Sequence, residues 1–204
     1  SGTSEAALMT GGYSRGCDTE EYDGTSWSQV NDMNIDTWCY SPIVFGATSE
    51  AAVAASGGDS PYTQTETWNG SSWTEVNNVN TARSDLAGGG IVTAGLAAMG
   101  RVVPGTTTKS EVEQWNGSSW TEVGDQNAAK YARAGTGTVT AGILFGGNDP
   151  TTNTETWNGT AWTEVSELNT AGEYRAASGT AAEVLAAGAY PLSANVESWN
   201  GTSW

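Results

Sequence analysis

The ionisable side chains of this chain limit the chemistry that it can perform. The 204 residues include no histidine, 23 Asp and Glu, and only seven Lys and Arg. The chain therefore lacks the commonest general base and metal ligand, and a Ser-His-Asp site is excluded. Paired carboxylates remain, and such pairs hydrolyse glycosidic bonds at suitable separations. The loop candidates, none of which lies in a motif, are Asp18, Asp36, Asp59, Asp85 and Asp149.

We predict no catalytic residue and no enzyme activity, and we keep a carboxylate-dependent glycosidase as the second alternative. The acidic loop Gly146-Gly147-Asn148-Asp149 offers oxygen ligands, but it lacks the ligand spacing of a known calcium loop. We therefore expect neither a metal nor a cofactor. The formal charge of −16 argues against nucleic acid as a partner, because that interaction needs a basic surface. No apolar run is long enough to span a membrane, so we expect no membrane insertion.

The elements that position these side chains follow from one repeated stretch. Glu66-Thr67-Trp68-Asn69-Gly70-Ser71-Ser72-Trp73 occurs in five edited copies, whose last tryptophans are Trp27, Trp73, Trp120, Trp162 and Trp204. The successive spacings are 46, 47, 42 and 42 residues. A repeat of this length is typical of one four-stranded propeller blade.

Each copy predicts a β-hairpin. Asn-Gly or Asp-Gly between aromatic and polar residues favours a type I′ turn, because these residues supply positive φ at little cost. The turn also explains, without a glycan, four formal glycosylation sequons that begin at Asn69, Asn116, Asn158 and Asn200. Before the third hairpin lie a small-residue strand (Leu86 to Val92) and an apolar strand (Gly95 to Met99). We name the strands of a unit a, b, c and d.

The repeats predict an all-β, five-bladed β-propeller of four-stranded antiparallel blades. We expect one domain over residues 1-204, with units at about 1-34, 35-80, 81-127, 128-169 and 170-204. The first unit has only a stub of strand a, Ser1-Gly2-Thr3, so its blade should be incomplete. An unpaired sheet edge favours self-association through that blade. The alternatives are a fragment of a longer protein and a blade that is simply one strand short.

One unit carries a recognisable residue order. Leu8-Met9-Thr10-Gly11-Gly12-Tyr13 is followed by Glu20-Glu21-Tyr22-Asp23-Gly24-Thr25-Ser26-Trp27. This order resembles the kelch-type β-propeller repeat, in the style of the central domain of galactose oxidase. The other units replace Tyr-Asp with Trp-Asn, and two lose one glycine, at Gly100-Arg101 and Gly188-Ala189. The resemblance implies a binding platform, a structural module or an enzyme scaffold. The galactose oxidase copper site depends on histidines, so that activity is not expected.

The topology of a four-stranded blade sorts the loops onto two faces of the ring. The b-c loops and d-a connections emerge on one face, which we call the loop face, and the a-b and c-d turns on the other. All seven basic residues belong to the loop face: Arg15, Arg83, Arg101, Lys109, Lys130, Arg133 and Arg175. So do Trp38 and six of the seven tyrosines: Tyr13, Tyr40, Tyr62, Tyr131, Tyr174 and Tyr190.

Arginine and the large aromatic residues dominate recognition surfaces, and loops on a rigid scaffold carry binding residues. The loop face is therefore the predicted binding face. The ligand-binding residues that we predict are Trp38, Tyr40, Arg83, Arg101, Tyr131 and Arg175. The alternative is that these side chains only pack between blades.

The hairpin tryptophans, the repeated glutamates and the two cysteines are predicted to have structural roles. Nine hairpin tryptophans suggest sugar stacking, but their regularity favours packing between blades. Glu66, Glu113, Glu155 and Glu197, with Glu20, are expected to accept hydrogen bonds from a neighbouring loop or to pair with an arginine. Cys17 and Cys39 share a face and a blade boundary, which predicts a disulfide, with two free buried thiols as the alternative.

A disulfide implies an extracellular, virion or cell-surface location. The sequence thus predicts a non-catalytic binding module that recognises a glycan or a protein surface through the loop face. The alternative hypothesis is a structural repeat module of a viral or cell-surface assembly, in which the incomplete first blade is an assembly edge.

Overall fold

In the computed structural model the chain is described over residues 2–3, 5–11, 17–34, 42–57, 63–102 and 105–204. These residues form strands, bridges, turns and loops, without a helix, and the strands make five small antiparallel sheets. The sheets are the blades of a five-bladed β-propeller, which confirms the predicted fold class. Within the described ranges there is accordingly no helix with the length and apolar character needed to cross a membrane.

The strands follow one another in the predicted order. Blade 1 contains β1 (Ala7–Thr10), β2 (Thr19–Tyr22) and β3 (Trp27–Gln29). Blade 2 contains β4 (Ile43–Thr48), β5 (Ala51–Ala55), β6 (Thr65–Trp68) and β7 (Trp73–Val76). Blade 3 contains β8 (Ala87–Ile91), β9 (Ala94–Val102), β10 (Thr107–Trp115) and β11 (Trp120–Val123). Blade 4 contains β12 (Ala134–Thr138), β13 (Ala141–Phe145), β14 (Thr154–Trp157) and β15 (Trp162–Glu164). Blade 5 contains β16 (Ala176–Gly179), β17 (Val184–Ala189) and β18 (Ser193–Trp199).

Over the residues that the structure describes, two of the five blades have three strands. Blade 1 has the order β1-β2-β3, in agreement with the predicted incomplete blade. Blade 5 also has three described strands, β16-β17-β18, and Trp204 holds the place where strand d opens in the repeat. The indole of Trp204 still lies against that of Trp199, with ring centroids 5.6 Å apart. The hairpin tryptophan pair of blade 5 is therefore retained.

The hairpin turn lies one residue later than the type I′ prediction places it. Trp68 pairs with Trp73 across the hairpin, and the amide of Asn69 donates to the carbonyl of Ser72. The two turn residues are therefore Gly70 and Ser71, and positive φ falls on Gly70 alone, at 91°. The Asn69 side chain explains the shift, because its Oδ1 accepts the amides of Ser71 and Ser72 at 3.0 Å each. Asparagine acts here as the residue before the turn.

Packing between blades repeats from one boundary to the next. Alternate residues of a strand point to opposite faces of the sheet, so each blade has a tryptophan face and an aliphatic face. In blade 2 the tryptophan face carries Trp68 and Trp73, which pack against Leu8 of blade 1. Its aliphatic face carries Phe45 and Val53, which pack against the tryptophan face of blade 3. The same arrangement recurs between blades 3 and 4 and between blades 4 and 5.

The burial of the hairpin tryptophans confirms their predicted packing role with one clear exception. Seven are buried between blades: Trp68, Trp73, Trp115, Trp120, Trp157, Trp162 and Trp199. In three hairpins the second tryptophan also donates a hydrogen bond from Nε1 to a threonine hydroxyl of the preceding blade. The pairs are Trp73 with Thr19, Trp120 with Thr65 and Trp204 with Thr154. Trp204 is partly buried, whereas Trp27 is about half exposed.

The repeated glutamates bind the segment that leads into their own blade, as predicted. In each case an asparagine donates from its amide nitrogen and its side chain to one carboxylate oxygen. The four pairs are Asn34 with Glu66, Asn80 with Glu113, Asn127 with Glu155 and Asn169 with Glu197. Arginines reach three of the same glutamates, and these pairs belong to the loop face described next.

Candidate binding site on the loop face

The d-a connections of blades 3, 4 and 5 meet where the innermost strands begin. The amide of Ala132 donates to the carbonyl of Asp85 at 3.4 Å, and the amide of Tyr174 donates to the carbonyl of Ala132 at 2.9 Å. Each of these residues lies two positions before the strand a of its blade. A ladder of backbone hydrogen bonds therefore joins three blades at one place on the loop face. We call the region around Asp85, Ala132 and Tyr174 the mouth.

The same three residues adopt a left-handed backbone. Their φ angles are 56° at Asp85, 57° at Ala132 and 53° at Tyr174. Aspartate tolerates this region better than most residues, while alanine and tyrosine occupy it at a cost of about 1 kcal/mol or more. The geometry points the amides of Ala132 and Tyr174 at the preceding blade, so the strain at these two residues accompanies the ladder.

Buried ion pairs support the mouth from below. Arg83 Nη2 lies 2.7 Å from Glu113 Oε1, and Arg133 Nη1 lies 2.9 Å from Glu155 Oε1, with all four side chains buried. Arg175 lies 3.7 Å from Glu197 and is also buried. Burial lowers the pKa of Arg83 and Arg133, and the partner glutamates oppose that shift.

A second ion pair lies at the surface of the mouth. Arg101 Nε lies 2.5 Å from Asp85 Oδ2, and about a quarter of the arginine side chain is exposed. The guanidinium also lies over the ring of Tyr131, 5.0 Å from the ring centroid, a distance at which a cation–π interaction is favourable. Backbone bonds between Ser84 and Arg101 fix this arrangement. A carboxylate, a guanidinium and an aromatic ring thus meet at one point.

Tyr174 and Glu173 extend the polar surface towards blade 5. The Tyr174 side chain is about half exposed, and partial burial, followed by the charge of Asp85, raises the pKa of its phenol. The pKa of Glu173 is raised by partial burial and then by the negative charges of Asp149 and Asp85. Glu173 is held by backbone bonds to Tyr190, which is itself exposed. These groups are close enough to influence one another.

A shallow cavity opens at the centre of this cluster. Its volume is about 230 Å³, and its lining includes Asp85, Leu86, Ala132 and Tyr174. Arg133 and Arg175, whose side chains are buried, also belong to its lining. A phenol, a carboxylate and a guanidinium provide hydrogen-bond donors and acceptors together with an apolar ring face. The arrangement suits a polar ligand with hydroxyl groups.

The predicted site residues separate into three groups. Arg101 and Tyr131 lie at the mouth and contact each other. Arg83 and Arg175 are buried beneath it and bind Glu113, Thr170 and backbone carbonyls, so their placement favours a structural role. Trp38 and Tyr40 lie outside the described residues.

The disulfide prediction stays untested in the same way. Cys17 is buried in the cluster that holds Leu8 and Met33, and Cys39 lies outside the described residues. The glycosidase candidates Asp36 and Asp59 also lie outside them. Asp85 is paired with Arg101, and Asp149 is exposed 3.9 Å from Lys130 Nζ.

Tyr174, Glu173 and Asp85 were not among the predicted binding residues. Alignment of the repeats on Asn80, Asn127 and Asn169 is the signal that could have found two of them. Asp85 and Tyr174 then fall at one equivalent position, five residues after the asparagine. That position is where the connections approach the centre of the ring.

The described part of the chain holds no group of three or more Cys, Asp or Glu that could bind a metal ion. Comparison of the sequence with protein-family models gave no match. Comparison with curated proteins likewise gave no match.

Proposed function

We propose that this chain is a kelch-type propeller that binds a carbohydrate at the mouth of the loop face, without turnover. The mouth comprises Asp85 and Tyr174, which line the 230 Å³ cavity, with Arg101 paired to Asp85, Tyr131 against Arg101, and Glu173 next to Tyr174 in the sequence. The observation that carries the proposal is the convergence of an exposed tyrosine, an ion pair and a strained backbone ladder at this cavity. A protein surface is the alternative ligand.

The size and polarity of the cavity favour a carbohydrate. Pockets for drug-sized ligands span roughly 300 to 1,000 Å³, so this cavity suits one small polar group at the end of a larger ligand. The Arg101–Asp85 pair can exchange hydrogen bonds with hydroxyl groups, and the ring of Tyr174 offers an apolar face. A protein partner would instead need a broad surface around a desolvated aromatic anchor.

The test is binding of the purified chain and its variants to an array of animal, plant and bacterial glycans, with and without calcium. Tyr174→Ala removes the exposed ring and keeps the backbone, because the equivalent Ala132 already has the same left-handed conformation. We expect this variant to bind at least about tenfold more weakly, as for a residue at the centre of an interface. Tyr174→Phe distinguishes loss of the ring from loss of the hydroxyl.

Thr140→Ala is the control, because Thr140 is exposed in the a-b turn on the opposite face. It should leave glycan binding unchanged. No selective glycan, or a selective glycan whose binding is insensitive to Tyr174→Ala, would contradict the carbohydrate proposal. A protein captured through the loop face and lost in Tyr174→Ala would favour the protein alternative.

The glycosidase alternative predicts a different result with the same glycans. Turnover would release reducing ends, and Asp85→Asn or Asp149→Asn would abolish the release. Binding without release supports the non-catalytic proposal. An extracellular, virion or cell-surface location remains part of the proposal and depends on a Cys17–Cys39 disulfide, which mass spectrometry of the unreduced chain would detect.

A further inference from the structure

All six basic residues that the structure describes are paired with a carboxylate of the chain. The buried pairs are Arg83 with Glu113, Arg133 with Glu155 and Arg175 with Glu197. The pairs nearer the surface are Arg101 with Asp85, Lys109 with Glu111 and Lys130 with Asp149. Arg15, the seventh basic residue of the sequence, lies outside the described residues. Each positive side chain in the described part of the chain therefore already has a negative partner.

The carboxylates around the mouth outnumber the cations there. Asp85 is paired with Arg101 at 2.5 Å, and Asp149 with Lys130 at 3.9 Å. Glu173 is a third carboxylate, and no ion pair holds it among the described residues. Its pKa is raised by partial burial and then by the charges of Asp149 and Asp85, so the three carboxylates are close enough to repel one another. Three carboxylates and two cations leave an excess of negative charge at this site.

The shape of the mouth and the charge of the whole chain strengthen this negative field. Asp85 and Tyr174 line a cavity of about 230 Å³. A concave site with low-dielectric walls concentrates the field of the charges around it, so they act more strongly there than on an open surface. The formal charge of −16 acts in the same direction at longer range. An anion that approaches the mouth is therefore repelled, whereas an uncharged ligand is not.

Given carbohydrate binding at the mouth, on which this step rests, we infer that the site selects uncharged sugars over sugars that carry a carboxylate or a sulfate, and that Glu173 sets this selectivity. The hydroxyl groups of a neutral sugar can bond to Arg101 and Asp85 while the ion pair stays intact. An acidic sugar needs Arg101 as its counter-ion and must compete with Asp85 for it. The Asp85 carboxylate would then lose its partner close to Glu173, which is unfavourable.

Glu173 is the mouth carboxylate whose charge can be removed without breaking an ion pair. Its backbone is fixed independently of its side chain, because its amide and carbonyl exchange hydrogen bonds with Tyr190. Glu173→Gln therefore removes the charge and keeps the size of the side chain. Asp149→Asn is a second variant with the same change of charge. Asp149 is largely exposed and has a φ of 54°, a left-handed conformation that asparagine also tolerates.

The test uses a glycan array that carries neutral glycans beside their sialylated, uronic acid and sulfated counterparts, at about pH 8, where carboxylates are ionised. We expect each neutral glycan that binds to bind at least about tenfold more tightly than its acidic counterpart. The difference should shrink when salt is raised from about 0.05 to about 0.5 M, because salt screens the repulsion. Glu173→Gln should raise the affinity for the acidic counterpart at least about threefold and leave that for the neutral glycan unchanged. Asp149→Asn should act in the same direction.

Glu75→Gln is the matched control, because Glu75 is exposed in β7, the outermost strand of blade 2, and the variant loses the same charge. It should leave the selectivity unchanged, and circular dichroism confirms that each variant is folded. Acidic counterparts that bind as tightly as neutral glycans would overturn the inference and leave carbohydrate binding standing. So would equal effects of Glu173→Gln and Glu75→Gln. Silence across the whole array would instead contradict carbohydrate binding, and the selectivity with it.

Discussion

Two arginines of the loop face differ in the surroundings of their guanidinium groups. Arg133 is buried against Glu155, whereas Arg101 is partly exposed beside Asp85. Removing one partner of a buried pair leaves the other charge without compensation. We expect Arg133→Met to lower the free energy of unfolding by about 3 to 5 kcal/mol in urea denaturation.

Arg101→Met is the matched comparison for that experiment. Its ion pair is partly exposed and its ring contact is at the surface, so the expected loss is about 1 kcal/mol or less. Equal losses for the two variants would contradict the assignment of Arg133 to structure and Arg101 to the mouth.

Asp23 in the hairpin of blade 1 gives a pH-dependent prediction. Its carboxylate accepts bonds from the hydroxyl and amide of Thr25 and from the amide of Ser26, and these lower its pKa from 3.8 to about 2. The stabilisation should be fully present above pH 3.8 and be lost as the pH falls towards 2. Titration of the carboxyl carbon by NMR measures this pKa.

Asp23→Asn is the control for this titration. Asparagine holds the equivalent place in the other four hairpins, where Oδ1 accepts the same amide bonds. The variant should keep its turn and lose the pH dependence of stability between pH 4 and 2. An Asp23 carboxyl that titrates at its ordinary value would contradict the hydrogen bonding described for the turn.

At the residue scale, the sequence predicted the role of the repeated glutamates but not which arginines would bind them. Arg83 follows Asn80 by three residues, whereas Arg133 and Arg175 follow Asn127 and Asn169 by six. Both positions deliver a guanidinium to the glutamate of the same blade, because the connection folds over it. Spacing alone could not show which loop-face arginines would be buried and which would remain at the mouth.

At the scale of elements, the boundary between blades 3 and 4 has a defect that can be repaired. Val112 replaces the threonine found at Thr19, Thr65 and Thr154, and the buried Trp162 Nε1 has no hydrogen-bond partner. Val112→Thr should supply the missing acceptor and raise the free energy of unfolding by about 0.5 to 1.5 kcal/mol.

Thr65→Val creates the same defect at the boundary between blades 2 and 3. It removes the hydroxyl that accepts from Trp120 at 3.0 Å, so we expect a loss of about 1 to 3 kcal/mol. Opposite signs for Val112→Thr and Thr65→Val in chemical denaturation support the repeated bond. No loss for Thr65→Val together with no gain for Val112→Thr would show that a hydroxyl at this position does not stabilise the interface.

The hairpin shows how far an element can be predicted from sequence. That Trp68 and Trp73 lie on paired strands follows from their positions on either side of a Gly-containing turn. Their direct pairing did not follow, because a turn at Asn69 and Gly70 would place Trp68 opposite Ser71. The exact turn did not follow, because Asn69 can occupy either a left-handed turn position or the position before it. The hydrogen bonds of its side chain decide between these two, and they become visible only in the folded hairpin.

At the scale of the whole molecule, the spacing of the tryptophans was sufficient to predict five blades and one propeller. It was not sufficient to predict that Trp27 would be exposed while Trp73 and Trp120 are buried, since all three occur in near-identical hairpins. Burial of a hairpin tryptophan depends on the neighbouring blade that packs against it, and the hairpin sequence does not encode that neighbour. Local patterns therefore do not predict which hairpin tryptophans are buried.

The same limit applies to the mouth of the loop face. Arg101 and Tyr131 were predicted as binding residues from their types, but their contact with Asp85 and their proximity to Tyr174 depend on three blades meeting at the axis. The tyrosines provide a direct probe of this site, because Tyr131 and Tyr174 lie at the mouth while Tyr22 lies in β2 of blade 1, beside Trp27.

The most direct test is an NMR titration of the chain, with labelled tyrosine rings, against the glycan that binds most strongly on the array. The account predicts that the ring signals of Tyr131 and Tyr174 shift in a saturable manner while those of Tyr22 stay in place. Unchanged signals from Tyr131 and Tyr174 during saturable binding would contradict a carbohydrate site at the mouth of the loop face.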